Sequence, residues 1–196
     1  SYTDINPEFG NKEDFKALID QAHRLGFKVI IDWVANHTGW DHLWTSNPDW
    51  YRKDAQGNFT DCHGWVDVID LNYDNMERLS ARMEAMKYWI GLFDIDGFRC
   101  DMAHLIPLDF WRDARRQLNT VKTLFWLGET EDPNYQYAFD CSYAWSWMHL
   151  SEKLMRKEAS VDDMRSLLAD YQKKKLPDTS HAFFTSNHDE NSWNGR

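Results

Sequence analysis

The chain has 196 residues, with 32 acidic against 22 basic side chains and a formal charge of -10. That length fills one domain and demands no second, and the acidity excludes a nucleic-acid partner, which needs a basic surface. No apolar run is long enough to span a bilayer, so no membrane partner is expected, and Ser1 opens no signal-peptide pattern.

In chain order, Phe15, Leu18, Ile19, Ala22 and Leu25 follow helical spacing, with Asn11 as N-cap and Gly26 placed to end the helix. Lys28 to Val34 is short, β-branched and apolar, which predicts a buried strand. The stretch 38–74 then breaks the pattern. It has no helical period and carries Trp40, Trp44, Trp50, Tyr51, Phe59 and Trp65, and long loops in compact domains are usually functional. These rings either form the small core of an inserted subdomain or, for Trp40 and Trp65, offer flat apolar faces to a ligand.

A second helix carries Met76, Leu79, Met83, Met86 and Ile90 before Gly91. Strand-like runs follow at Phe93 to Asp101 and Thr123 to Glu129, separated by a helix opening at Pro107. A helix begins at Ser160, where Ser-Val-Asp-Asp has the capping-box shape, and continues through Met164, Leu167, Leu168 and Tyr171. A last strand is expected over His181 to Asn187. Strands alternating with helices mean an α/β fold with a parallel sheet.

Cys62, Cys100 and Cys141 form neither a CxxC pair nor a zinc spacing, and an odd count leans away from a disulfide framework. Cys100 is expected to be an apolar filler.

Polar clusters end the four strand-like runs: Asp32, Asn36 and His37; Arg99 and Asp101; Glu129; and Asn187, His188 and Asp189. Such folds build active sites on the rim where strands end. Strand alternation puts Gly97, Arg99 and Asp101 on one face and Phe98 and Cys100 on the other, so the Arg99 cation faces Asp101 and favours its ionised form. Glu129 follows Phe125, Trp126 and Leu127 and would sit near two other carboxyls, which favours its protonated form. A metal-dependent hydrolase would also place His and Asp at strand ends, but it calls for convergent His ligands such as His-x-His, and the sequence holds no such pair.

Taken together, Asp32-x-x-x-Asn36-His37, Gly97-Phe-Arg99-Cys-Asp101, Gly128-Glu129, Phe184-x-x-Asn187-His188-Asp189 and Asp70-Leu-Asn72 resemble, in order and approximate spacing, the signatures of the α-amylase family of glycoside hydrolases. The resemblance implies a (β/α)₈ TIM barrel, here incomplete and spanning strands three to seven, with 1–196 part of the catalytic barrel and 38–74 a short inserted subdomain after the third strand. It implies Asp101 as nucleophile, Glu129 as general acid and base, and Asp189 as the third catalytic carboxylate. Arg99, His37, His188, His104, Trp40 and Trp65 would contact substrate. Asn36 would be a metal position for calcium, although His104-Leu105 stands where the family often has Lys-His; no organic cofactor is implied. The implied substrate is an α-1,4-glucan or malto-oligosaccharide, cleaved with retention. An α-glucosidase or a 4-α-glucanotransferase would share these residues, whereas a non-enzymatic relative would have replaced at least one of the three carboxylates.

Overall fold

A computed structural model of the chain describes residues 1–74, 76–190 and 192, and only the backbone of 76–79. The side chains of Met76 and Leu79, assigned above to an apolar stripe, lie outside the described residues. Five parallel strands stand side by side in the order β1 (Ile30–Val34), β4 (Gly97–Asp101), β5 (Phe125–Gly128), β6 (Cys141–Tyr143) and β7 (Ser180–Ala182). A two-stranded antiparallel sheet, β2 (His37–Gly39) with β3 (Val68–Asp70), lies within the segment after β1. The α-helices are α1 (Lys12–Arg24), α2 (Met76–Phe93), α3 (Leu108–Leu118), α4 (Trp145–Met155) and α5 (Val161–Lys174), with short 3-10 turns between elements. This is a run of neighbouring strands from a parallel α/β barrel, an incomplete barrel. No helix among the described residues is long and apolar enough to cross a membrane.

Two helices start where local chemistry demands it. Asn11 and Ser160 each accept from the backbone N–H three residues on, while Asp14 and Asp163 reach back to the cap N–H. Both capping boxes satisfy donors that a helix start leaves orphaned. Pro107 sits at the N-cap of α3 rather than in its first turn. The second helix does not stop at Gly91 but runs to Phe93, and Asp94, with φ 62°, makes the turn instead. Its faces explain the extension: Met86, Ile90 and Phe93 are all buried, so continuing one turn puts Phe93 in the core. On α1 only Ile19 is fully buried, whereas Leu18 and Leu25 are exposed.

Gly97 sets the seam between β4 and β5. A Cβ there would lie 1.9 Å from the Phe125 carbonyl oxygen, so no side chain fits while the strands stay paired. Phe98 and Cys100, on the helix side of β4, are fully buried, and Phe98 packs against Trp33 and Trp126. Arg99 and Asp101 therefore project to the opposite face.

The last strand is shorter than expected. It spans Ser180–Ala182, and residues 183–187 leave the sheet as a loop, so Asn187, His188 and Asp189 stand in a turn beyond the strand. Strand β6 and helix α4 were not anticipated from the sequence.

Candidate active site

The site is built on the C-terminal ends of β1, β4 and β5. Pairing of β1 with β4 sets Asp32 beside Arg99, and pairing of β4 with β5 sets Arg99 beside Leu127, two residues before Glu129. The buried Arg99 guanidinium then reaches three carboxylates. Its Nη1 donates to Asp101 Oδ1 at 2.6 Å and to both oxygens of Asp32 at 3.0 and 3.2 Å, while Nη2 lies 2.8 Å from Glu129 Oε2. Its Nε donates to the Tyr143 hydroxyl at 3.3 Å. The planar guanidinium presents its donors in a fixed fork, so it holds the acids in set directions. Arg99 is therefore shared among Asp32, Asp101 and Glu129.

Met102 turns the chain directly after Asp101. It sits in the left-handed region with φ 42°, uncommon for a residue with a side chain. In that conformation its N–H donates to Glu129 Oε2 at 2.8 Å, and the Ala103 N–H donates to the Glu129 carbonyl at 3.1 Å. The strained residue thus ties the ends of β4 and β5 together where the carboxyls meet.

Glu129 is almost fully buried, and burial raises its pKa above the ordinary value. The Met102 N–H and the Arg99 charge oppose the rise, while the Asp101 charge and a hydrogen bond with the Asp101 side chain add to it. Burial and the neighbouring Asp101 carboxyl thus favour a proton on Glu129.

A cleft of about 470 Å³ opens above this cluster, lined by His37, Trp65, Asp101, Met102, Glu129, Trp145 and Asp189 among others. The structure thus brings together Asp101, Glu129, Asp189, His37 and Trp65. The His37 ring meets Trp65 edge-on at 5.5 Å. Four residues expected to contact substrate are not among those lining the cleft: Arg99 lies buried beneath it, bonded to the carboxylates, and the other three stand elsewhere. His104 is exposed in the short turn after Met102, Trp40 is exposed and donates its indole N–H to the Val66 carbonyl, and His188 is exposed with its Nε2 3.6 Å from Asp189 Oδ2. Trp145, which does line the cleft, was missed. It opens a helix that the sequence does not signal.

The residue implied for calcium, Asn36, is buried and its side chain is engaged by hydrogen bonding. The buried Asn36 amide nitrogen donates to Asp70 Oδ1 at 3.2 Å, Asp70 Oδ2 accepts from the Cys62 N–H at 3.0 Å, and the His104 carbonyl accepts from the Tyr135 hydroxyl at 3.2 Å. Among the described residues no three of His, Cys, Asp and Glu gather as a metal-holding group, whereas calcium takes six to eight oxygens. The Asn36 bond to Asp70 ties the 38–74 segment to the residues that follow β1.

Comparison with known proteins agrees with this architecture. The family model described as alpha amylase, catalytic domain, matches residues 1–59. The chain is 33% identical to the maltogenic alpha-amylase of Bacillus acidopullulyticus over 65% of this chain and 25% of that protein. Among solved structures, an alpha-amylase from Lactobacillus plantarum superposes with TM-score 0.91 at 35% identity, covering 96% of this chain and 49% of that one. A maltogenic alpha-amylase from Thermotoga neapolitana superposes with TM-score 0.89 at 36% identity, covering 96% and 45%. The chain thus spans from a quarter to about half the length of these proteins.

Proposed function

Because this chain belongs to the α-amylase family of glycoside hydrolases, we propose that its cleft is the catalytic centre of a retaining hydrolase acting on α-1,4-glucosidic bonds in starch-like or malto-oligosaccharide substrates. One observation carries the reading: Arg99 gathers Asp101 and Glu129 at the strand ends, under a cleft that also takes in Asp189. Asp101, held by Arg99, is the nucleophile that attacks the anomeric carbon, and the bond to the leaving oxygen breaks as Glu129 gives that oxygen its proton. Water, deprotonated by Glu129, then releases the sugar from Asp101. Asp189 stabilises positive charge developing on the sugar ring, and His37 hydrogen-bonds it.

Attack and proton donation on one bond need carboxyls about 5 to 5.5 Å apart, and Arg99 holds both Asp101 and Glu129 at the strand ends. Burial of Glu129 supports its role as the proton holder. The relatives' names, which include a maltogenic alpha-amylase and a cyclomaltodextrinase, support α-glucans as the substrate class. An α-glucosidase or 4-α-glucanotransferase differs only in which acceptor reaches the glycosyl-enzyme, and product analysis on starch, maltotriose and cyclodextrin separates them.

The test uses the protein that carries this sequence. Asp101→Asn and Glu129→Gln should each lower reducing-end release from starch by about 10³-fold or more, and the first-formed product should keep the α configuration by NMR. Undiminished hydrolysis in either variant, or a β product, overturns the reading.

A further inference from the structure

We propose that Trp145 is a sugar-stacking wall of the cleft and that Glu131 positions it, an inference that rests on the α-glucan reading above. The cleft takes aromatic rings from two separate parts of the fold. Trp65 comes from the segment that follows β1, and Trp145 comes directly after β6. An indole face offers a flat apolar surface to the C–H face of a pyranose, and a side chain held rigidly in advance loses little freedom when it binds.

Trp145 is held in that way. Phe184 meets it edge-on at 5.0 Å, Tyr143 lies 5.8 Å away, and His149, one helical turn on, stacks at 6.1 Å and 24°. Tyr143 also accepts from Arg99 Nε, so the indole is braced by the same group that contacts the carboxylate cluster. Rings that only fill a core have no reason to border the catalytic cleft, and Trp145 is half-exposed there.

Its backbone position comes from a carboxylate distant in sequence. Trp145 is the first residue of α4, whose N-cap, Ala144, has no side chain able to cap. Glu131 supplies the cap instead. Its two oxygens accept the Ser146 N–H at 2.9 and 3.1 Å, Oε2 accepts the Ser146 hydroxyl at 2.6 Å, and Oε1 accepts the Tyr171 hydroxyl. Tyr171 in turn accepts the Trp147 N–H at 3.3 Å. A negative charge and two acceptors at a helix start meet both the orphan donors and the helix dipole. Glu131 lies two residues after Glu129, so the loop that delivers the acid also anchors the helix that delivers the wall.

The test measures maltopentaose binding by titration calorimetry in a Glu129→Gln background, with wild-type hydrolysis assayed in parallel. Trp145→Ala should weaken binding by roughly 10-fold, the upper range for an aromatic contact, and Trp145→Phe by less. Glu131→Ala should weaken it as well, Glu131→Gln should restore most of the loss, and Glu131→Ala added to Trp145→Ala should cost nothing further. A merely structural Glu131 would give additive losses. Thermal melts identify variants that fail to fold, and Trp145→Phe then carries the test. Binding unchanged in Trp145→Ala or Trp145→Phe overturns the wall, and additive losses overturn the positioning role. Wild type that binds maltopentaose through Trp145 but never cleaves it refutes the hydrolase reading alone.

Discussion

Asp96 is the residue whose loss should most clearly separate stability from chemistry. It lies just before β4, at the opposite end of that strand from Asp101, and its side chain is only 7% exposed. Its carboxylate accepts the Val29 N–H at 2.9 Å and His23 Nε2 at 2.7 Å, with Lys28 and Lys122 Nζ at 3.2 and 3.1 Å. Burial pushes this carboxyl upward, but those four donors outweigh it and hold it far below the usual carboxylate range. Asp96→Ala strands a backbone N–H, worth about 1–3 kcal/mol, and removes the acid from a buried ionic cluster, worth about 3–5 kcal/mol. Lys28 is 78% exposed and regains water, so the lower ends apply, about 4 kcal/mol in all. In urea followed by tryptophan fluorescence, that is a midpoint shift of about 1–2 M at a typical slope. A group whose folded pKa is depressed stabilises above its unfolded value, near 4, and loses that contribution as pH falls below it. The gap between wild type and Asp96→Ala should therefore be full at pH 7 and shrink steadily below about pH 4. A loss under about 1 kcal/mol at pH 7, or a gap that widens in acid, would refute the reasoning.

Three further outcomes follow from the site and the sheet. Arg99→Met should lower activity and move the alkaline limb of the pH profile upward, since the Arg99 charge lowers the Glu129 pKa and its removal lets Glu129 keep its proton to higher pH; a downward move contradicts the assignment of Glu129 as acid. Incubation with a chelator, followed by gel filtration, should leave both starch hydrolysis and the melting temperature unchanged, because the Asn36 amide holds Asp70 directly; a lost activity restored by calcium reverses that conclusion. Gly97→Ala should cost about 3 kcal/mol or more, an overpacking against backbone that cannot rotate away, and a variant that melts with wild type would show that the β4 and β5 pairing is looser than described.

Local chemistry was readable where it was complete within a few residues. The capping boxes at Asn11 and Ser160 close over four positions, and the alternation along Gly97 to Asp101 already placed arginine and aspartate on one face and Phe98 and Cys100 on the other. Helix α4 was not readable because its cap, Glu131, lies 15 residues from the donor it satisfies. Strand β6 was missed for a related reason. Three residues, Cys-Ser-Tyr, show no period, and it is a strand because β5 and β7 supply its hydrogen-bond partners on either side.

The sequence by itself determined the parallel α/β class, the family and the order of the polar clusters, since these are set by residue type and spacing along one dimension. Only the tertiary structure decided that Arg99 is shared among Asp32, Asp101 and Glu129, that Asn36 faces Asp70, and that Trp145 rather than Trp40 borders the cleft. Those outcomes depend on strand register and on the direction of single side chains, and such distances are fixed only when separate segments pack against one another.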